Sequence, residues 1–214
     1  LYETTLDWEW RYRVIMPLAI LKHENKDDLG LLGAYSYELG EFARDDITRP
    51  NGFGCERLYE AADLTAIPAG DRPLTQGDLV TEWAFAPAGI VAWVGHGWEH
   101  GAVRLVWETD DGDGIPETGE INDYTMIDTG DVPVLDNTHP AFVIQSSCSN
   151  GVPAVHDNLG FRLLQEGAIA TYSGSTGTSF MPGDWTPEFG PTYGDLQSFS
   201  YHIPRGLIEQ AIDG

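Results

Sequence analysis

Cysteine is scarce in this 214-residue chain: Cys55 and Cys148 are its two cysteines, which excludes a disulfide framework and leaves room for one bridge at most. Basic residues are scarce as well, 11 Lys and Arg against 34 Asp and Glu, and Lys22 and Lys26 are the only lysines. The resulting net charge of −23 repels phosphate backbones and anionic lipid, so nucleic-acid and membrane-surface partners are disfavoured while cations and basic peptides are attracted. Solubility or a saline habitat explains such a charge equally well, and charge alone names no function. There is no run of 18 apolar residues, so no membrane insertion is expected. A basic segment followed by an apolar one is also lacking at the start. The opening at Leu1, directly into the polar and aromatic stretch up to Tyr12, leads us to expect a processed product or further sequence upstream.

What is present is ordinary globular usage, 42% hydrophobic and 21% charged, which excludes disorder and fibrous repeats. The length suits residues 1–214 as one domain or a large piece of one.

Apolar runs and turn residues divide the chain. Arg13 to Leu21 reads as a strand that Pro17 bends or ends early. Leu31, Leu32, Tyr35, Leu39 and Phe42 recur at helical spacing, which predicts a helix with Asp27 or Asp28 near its N-cap. A short strand is expected around Glu56 to Tyr59, a helix over Gly77 to Phe85 and a buried strand over Gly89 to Val94. An acidic, Gly-rich loop spans residues 108–123. A strand over Ala141 to Gln145, a helix over Asn158 to Glu166, a strand over Gly167 to Tyr172 and a helix beginning near Gly206 complete the pattern. Strands alternating with helices predict an α/β fold with a mostly parallel sheet, whose sites lie at the carboxyl ends of the strands.

Two of the predicted strands end in reactive side chains. His96 follows Val94 in a Gly-His-Gly turn, and Cys148 follows the 141–145 strand, 52 positions after it from 96 to 148. A cysteine attacks as thiolate, and an imidazole beside it takes the thiol proton and later protonates the leaving amine. If the two strands are neighbours, both side chains emerge on one edge of the sheet. Gly97 lets the backbone approach a substrate carbonyl, so that its N–H and that of Cys148 form an oxyanion hole. The competing reading makes Cys148 an inert buried thiol and His96 a strand-end residue. The pairing of both, each after an apolar strand and among small residues, favours chemistry.

These segments resemble the gingipain-type cysteine peptidases, a caspase-fold family of mostly bacterial secreted endopeptidases. Val94-Gly-His-Gly97 is similar to the family's strand-end Gly-His-Gly, and Phe142-Val-Ile-Gln-Ser-Ser-Cys-Ser-Asn-Gly151 to its strand leading into the cysteine. Gly167-Ala-Ile-Ala-Thr-Tyr-Ser-Gly-Ser-Thr176 is similar to the strand whose end lines the primary specificity pocket. Caspases likewise place the histidine about 50 residues before the cysteine. The resemblance implies a caspase-like three-layer sandwich, lacking the strands that precede Arg13, and a peptide or protein substrate cleaved through a thioacyl enzyme. It implies His96 as base, Cys148 as nucleophile, and Gly97 with Cys148 as oxyanion donors. It further implies Glu24 as the acidic partner of the histidine, or else a solvated turn carboxylate. Asp27 or Asp28 would select Arg or Lys at the pocket base, or serve as an ordinary cap. Ser175 and Thr176 would line the pocket, with Phe180 and Trp185 at its lid. Other chains or missing segments would complete the domain.

The segment from Glu108 to Glu120 resembles the Asp-rich calcium loops of secreted proteins, with Asp111, Asp113 and Glu120 at ligand positions and Thr109 where an Asp is expected. Bound calcium and a hydrated acidic loop stay open here; either suits a secreted or extracellular setting. Zinc has little support, since one Cys and one His so far apart lack the close ligand pairs of structural sites. The rival function is a catalytically inactive, calcium-binding caspase-fold domain used for adhesion or ligand recognition through Trp8, Trp10 and Trp98.

Overall fold

An uninterrupted apolar run has no polar face to turn to water and is stable as a strand only when both faces are covered. The computed structural model, which describes residues 9–135 and 137–177, places the apolar runs accordingly. In chain order its elements are β1 (Arg13–Pro17), β2 (Ile20–Lys22), β3 (Ala34–Tyr35), α1 (Tyr37–Phe42), β4 (Gly54–Tyr59), β5 (Arg72–Pro73) and α2 (Gln76–Phe85). There follow β6 (Ile90–Val94), β7 (His96–Trp98), β8 (Gly101–Trp107), β9 (Ile121–Asp128), β10 (Ala141–Ser146), α3 (Leu159–Gln165) and β11 (Ala168–Ser173).

Six strands form one sheet in the order β11-β10-β6-β1-β4-β5, and every pairing in it is parallel. Alternation along each strand divides the core in two. Ile15, Val91, Trp93 and Val143 face α2 and α3 through Leu79, Trp83, Leu159 and Leu163. Val14, Met16, Ala92 and Ile144 face Leu39, Ala43 and Ile47 of α1 and its continuation. Helices on both faces of a parallel sheet make the caspase-like α/β sandwich, and the order puts β6 beside β10, so His96 and Cys148 leave adjacent strands on one edge.

Three expectations are corrected. The strand from Arg13 does not reach Leu21: β1 ends at Pro17, Leu18 bridges to Val94, and the chain then turns into the antiparallel β2–β3 pair. The helix does not start at Asp27 or Asp28. Both have left-handed backbones, φ 56° and 52°, in a single 3-10 turn, and α1 begins after Ser36, whose hydroxyl donates to the Ala19 carbonyl. The helical spacing of Leu31 and Leu32 was coincidental, for both are exposed. The sequence reading also missed the antiparallel sheet β7-β8-β9, whose hairpin connection is the acidic loop. Among the described residues no helix is long and apolar enough to cross a membrane.

Candidate active site

Gly97 and the cysteine loop are in van der Waals contact. A Cβ placed on Gly97 would lie 2.7 Å from the Cys148 carbonyl oxygen, 2.9 Å from Ser147 Cβ and 3.1 Å from the Cys148 nitrogen. Only a residue without a side chain fits that seat. The approach begins one residue earlier, where the Gly95 N–H donates to the Ser146 carbonyl at 3.1 Å. The Gly97 backbone therefore lies against the backbone of Cys148.

The loop around the cysteine is held by buried hydrogen bonds. Asn150, fully buried, donates from Nδ2 to the carbonyls of Trp98 (2.6 Å) and Gly101 (2.8 Å), while its Oδ1 accepts from the Ser147 hydroxyl. Trp93 Nε1 donates to Ser147 Oγ at 2.9 Å. Asn150 thus ties the cysteine loop to the β7–β8 hairpin, whose first residue is His96, a role that sequence reading missed although Asn150 stood within the quoted motif. Replacing Asn150 by Ala leaves two buried carbonyls and a hydroxyl without this partner; we expect a loss of about 2–3 kcal/mol, read as a lower denaturant midpoint with an unchanged slope. A variant as stable as the parent would show the carbonyls finding other donors.

His96 Nε2 lies 2.8 Å from the Leu21 carbonyl oxygen. A carbonyl can only accept, so Nε2 carries the hydrogen and Nδ1 is the acceptor atom of the neutral ring. The main chain of Leu21, in the middle of β2, orients the imidazole. No side-chain pattern signals such a carbonyl in a sequence. Glu24, the expected acidic partner, is exposed, and its N–H donates to the Tyr35 hydroxyl at 3.0 Å.

Asp27 and Asp28 lie on the 23–33 connection that follows. The Asp27 carboxylate accepts the Thr118 N–H at 2.7 Å, the Thr118 hydroxyl at 2.8 Å and the Lys26 ammonium at 2.6 Å; Lys26 first and Thr118 second hold its carboxyl down, to about 2. It latches the acidic hairpin loop instead of capping a helix. Asp28 is exposed and receives Asn25 Nδ2 at 3.3 Å. Ser175 and Thr176 are exposed beside the cysteine loop, where the Ser149 N–H donates to the Thr176 carbonyl (2.9 Å) and the Gly151 N–H to that of Gly174 (2.8 Å). Phe180 and Trp185 lie outside the described residues.

At the hairpin tip Asp110, Asp111 and Asp113 offer carboxylate oxygens within 4.8 Å of one another. Glu120, expected among them, is buried elsewhere: it accepts Trp107 Nε1 at 3.1 Å and the Asp111 N–H at 2.8 Å, closing the loop from inside. Asp110 takes its place, its carboxyl held low by the N–H groups of Gly112 and Gly114. Of the tryptophans expected on a recognition surface, Trp10 is buried edge-on to His139, Trp98 is half-buried, and Trp8 lies outside the described residues.

No family model matches the sequence, and no curated protein does. Among solved structures, the arginine-specific cysteine proteinase gingipain R is similar, with a TM-score of 0.54 at 13% identity over 80% of this chain. The complex of pro- and mature domains of the gingipain RgpB from Porphyromonas gingivalis gives 0.52 at 14% over 80%. The chain spans about a third of the length of each, 33% and 34%. At such identities the likeness establishes a gingipain-like fold.

Proposed function

We propose that this chain is a secreted cysteine endopeptidase of the gingipain type, with Cys148 as nucleophile and His96 as base. The observation that carries the reading is the seat of Gly97 against Cys148, which joins the Gly-His-Gly turn to the cysteine loop at the edge where a parallel sheet places its sites. In the reaction, His96 Nδ1 takes the thiol proton and the sulfur bonds to the substrate carbonyl carbon. The N–H groups of Gly97 and Cys148 receive the oxyanion. The C–N bond then breaks, the imidazolium returns its proton to the leaving amine, and water hydrolyses the thioester. The Leu21 carbonyl keeps the ring oriented throughout and stabilises the imidazolium.

A peptidyl electrophile tests this, with Cys55 as internal control in the same protein. Adduct at Cys148 and none at Cys55, read by mass spectrometry, is the expected result; equal or absent modification of Cys148 in folded protein would reject the assignment.

Cleavage after Arg or Lys is supported by the negative charge of the chain and by the arginine specificity of gingipain R. Because Asp27 is committed to Thr118, Asp28 is the stronger candidate for the pocket base. A positional-scanning library should return Arg and Lys roughly 10-fold or more above neutral residues. Turnover of Asn, Asp or apolar residues above them would refute the pocket while leaving the dyad untouched.

The acidic tip is read as a structural calcium site with Asp110, Asp111 and Asp113 as ligands, supported by the convergence of their carboxylates. Millimolar calcium should raise the melting temperature by several degrees, roughly, and Asp111→Asn with Asp113→Asn should cancel the rise. Indifference to chelator would make the tip a hydrated loop.

A further inference from the structure

Folded surfaces carry large apolar side chains singly, and clusters of them mark contact sites. The 23–33 connection between β2 and β3 holds such a cluster: Leu29, Leu31 and Leu32 are 64%, 42% and 58% exposed. The loop that presents them is closed by Asn25. Its N–H donates to the Leu31 carbonyl at 2.8 Å, its Oδ1 accepts the Gly30 N–H at 2.8 Å, and its Nδ2 reaches Asp28. Asn25, Asp27 and Asp28 all have φ near the left-handed region, 51°, 56° and 52°, which non-glycine residues adopt at a cost. The backbone is therefore specified, and what it does is hold leucines outward.

The same loop is tied to the acidic hairpin tip. The Asp27 N–H donates to the Pro116 carbonyl at 2.9 Å, and its carboxylate takes both donors of Thr118. Partial desolvation, and then the charges of Asp111, Asp113, Glu120 and Asp27, push the Glu117 carboxyl up, so the two loops share one negative field. Apolar surface beside carboxylates complements a ligand that is apolar and cationic. Anionic lipid is repelled by such a field, and a second copy would set a chain of net charge −23 against its own kind.

We propose that the leucine loop and the acidic tip form one docking surface for a polypeptide segment bearing aliphatic or aromatic side chains with Lys or Arg beside them. Leu29, Leu31 and Leu32 receive the apolar groups; Asp111 and Asp113 face the cations. The connection leaves β2 two residues after Leu21, whose carbonyl accepts from His96. Binding here does not depend on cleavage, and the two readings can fail separately.

The test uses the full chain with Cys148→Ala, in chelator, so that nothing consumes the probe and no divalent cation competes at the tip. Fluorescence anisotropy is measured with three short labelled peptides: alternating Leu and Lys, Gly and Lys of equal charge, and Leu and Glu. The Leu/Lys peptide should bind at least ~10-fold tighter than the others. Leu29→Ser with Leu31→Ser and Leu32→Ser should weaken it roughly 10-fold without lowering the melting temperature, because these side chains are already exposed. Asp111→Asn with Asp113→Asn should weaken it and flatten its salt dependence. Equal binding of the Gly/Lys peptide, or indifference to the leucine changes, would overturn the proposal. So would a leucine-dependent dimer in ultracentrifugation, or leucine-dependent binding to zwitterionic vesicles, each of which assigns the patch to another occupant.

Discussion

Replacing Cys148 with Ala should, on the proposed function, lower peptide hydrolysis by roughly 10⁴-fold or more and leave the circular dichroism spectrum and melting temperature close to those of the parent. The size follows from the proposed mechanism, in which the sulfur forms the covalent bond and neither the proposed oxyanion donors nor His96 can replace it. Structure is retained because the change removes one atom from a half-buried side chain just past β10. Cys55 offers no second route. It lies in β4 opposite Val14, and burial pushes its thiol up to about 11, which leaves almost no thiolate at neutral pH. Cys55→Ala should therefore keep its turnover. Steady-state hydrolysis by both purified variants checks the pair of claims, and full activity in the Cys148→Ala protein would remove the peptidase reading altogether.

Gly97→Ala is expected to cost about 10²-fold in kcat/KM, although it touches no reacting side chain. Two of the three atoms its methyl would meet belong to the Cys148 backbone, at 2.7 Å and 3.1 Å, so relief requires the cysteine loop to move. Such overpacking costs about 1–3 kcal/mol of stability, and the displacement carries both the sulfur and an oxyanion N–H away from His96. Gly119→Ala is the control, since a Cβ there meets nothing within 4 Å. Hydrolysis and the rate of electrophile labelling at Cys148 should fall together in the Gly97 variant alone. A folded Gly97→Ala protein with unchanged kcat/KM would show that the close seat is incidental to catalysis.

Legibility in the sequence followed the physics of each segment. Ile90–Val94 and Ala141–Ser146 were readable because buried parallel strands need continuous apolar runs; the helix expected over Gly77 to Phe85 is α2, and its cap, Thr75, whose side chain accepts from the Asp78 N–H, went unread. The 23–33 connection misled because Leu31 and Leu32 fell on the helical period set by Leu39 and Phe42, and periodicity cannot tell a buried leucine from one displayed to solvent. β7 was invisible for another reason: a three-residue strand containing Gly97 has too few side chains to show alternation. Glu120 was misplaced because a loop pattern counts carboxylates without knowing that Trp107 Nε1 waits for one of them.

Composition and local pattern by themselves determined the α/β class, the anionic character, the lack of a disulfide framework and the two strand-end residues His96 and Cys148, because each depends on residues near one another in the chain. The tertiary structure decided that β6 and β10 are neighbours, that Gly97 rests on Cys148, and that the Leu21 carbonyl orients the imidazole. It also decided that Asp27 belongs to Thr118, 91 residues away. Those are contacts between segments distant in sequence, often through backbone atoms that every residue carries alike, and only the packed sheet selects which of them meet.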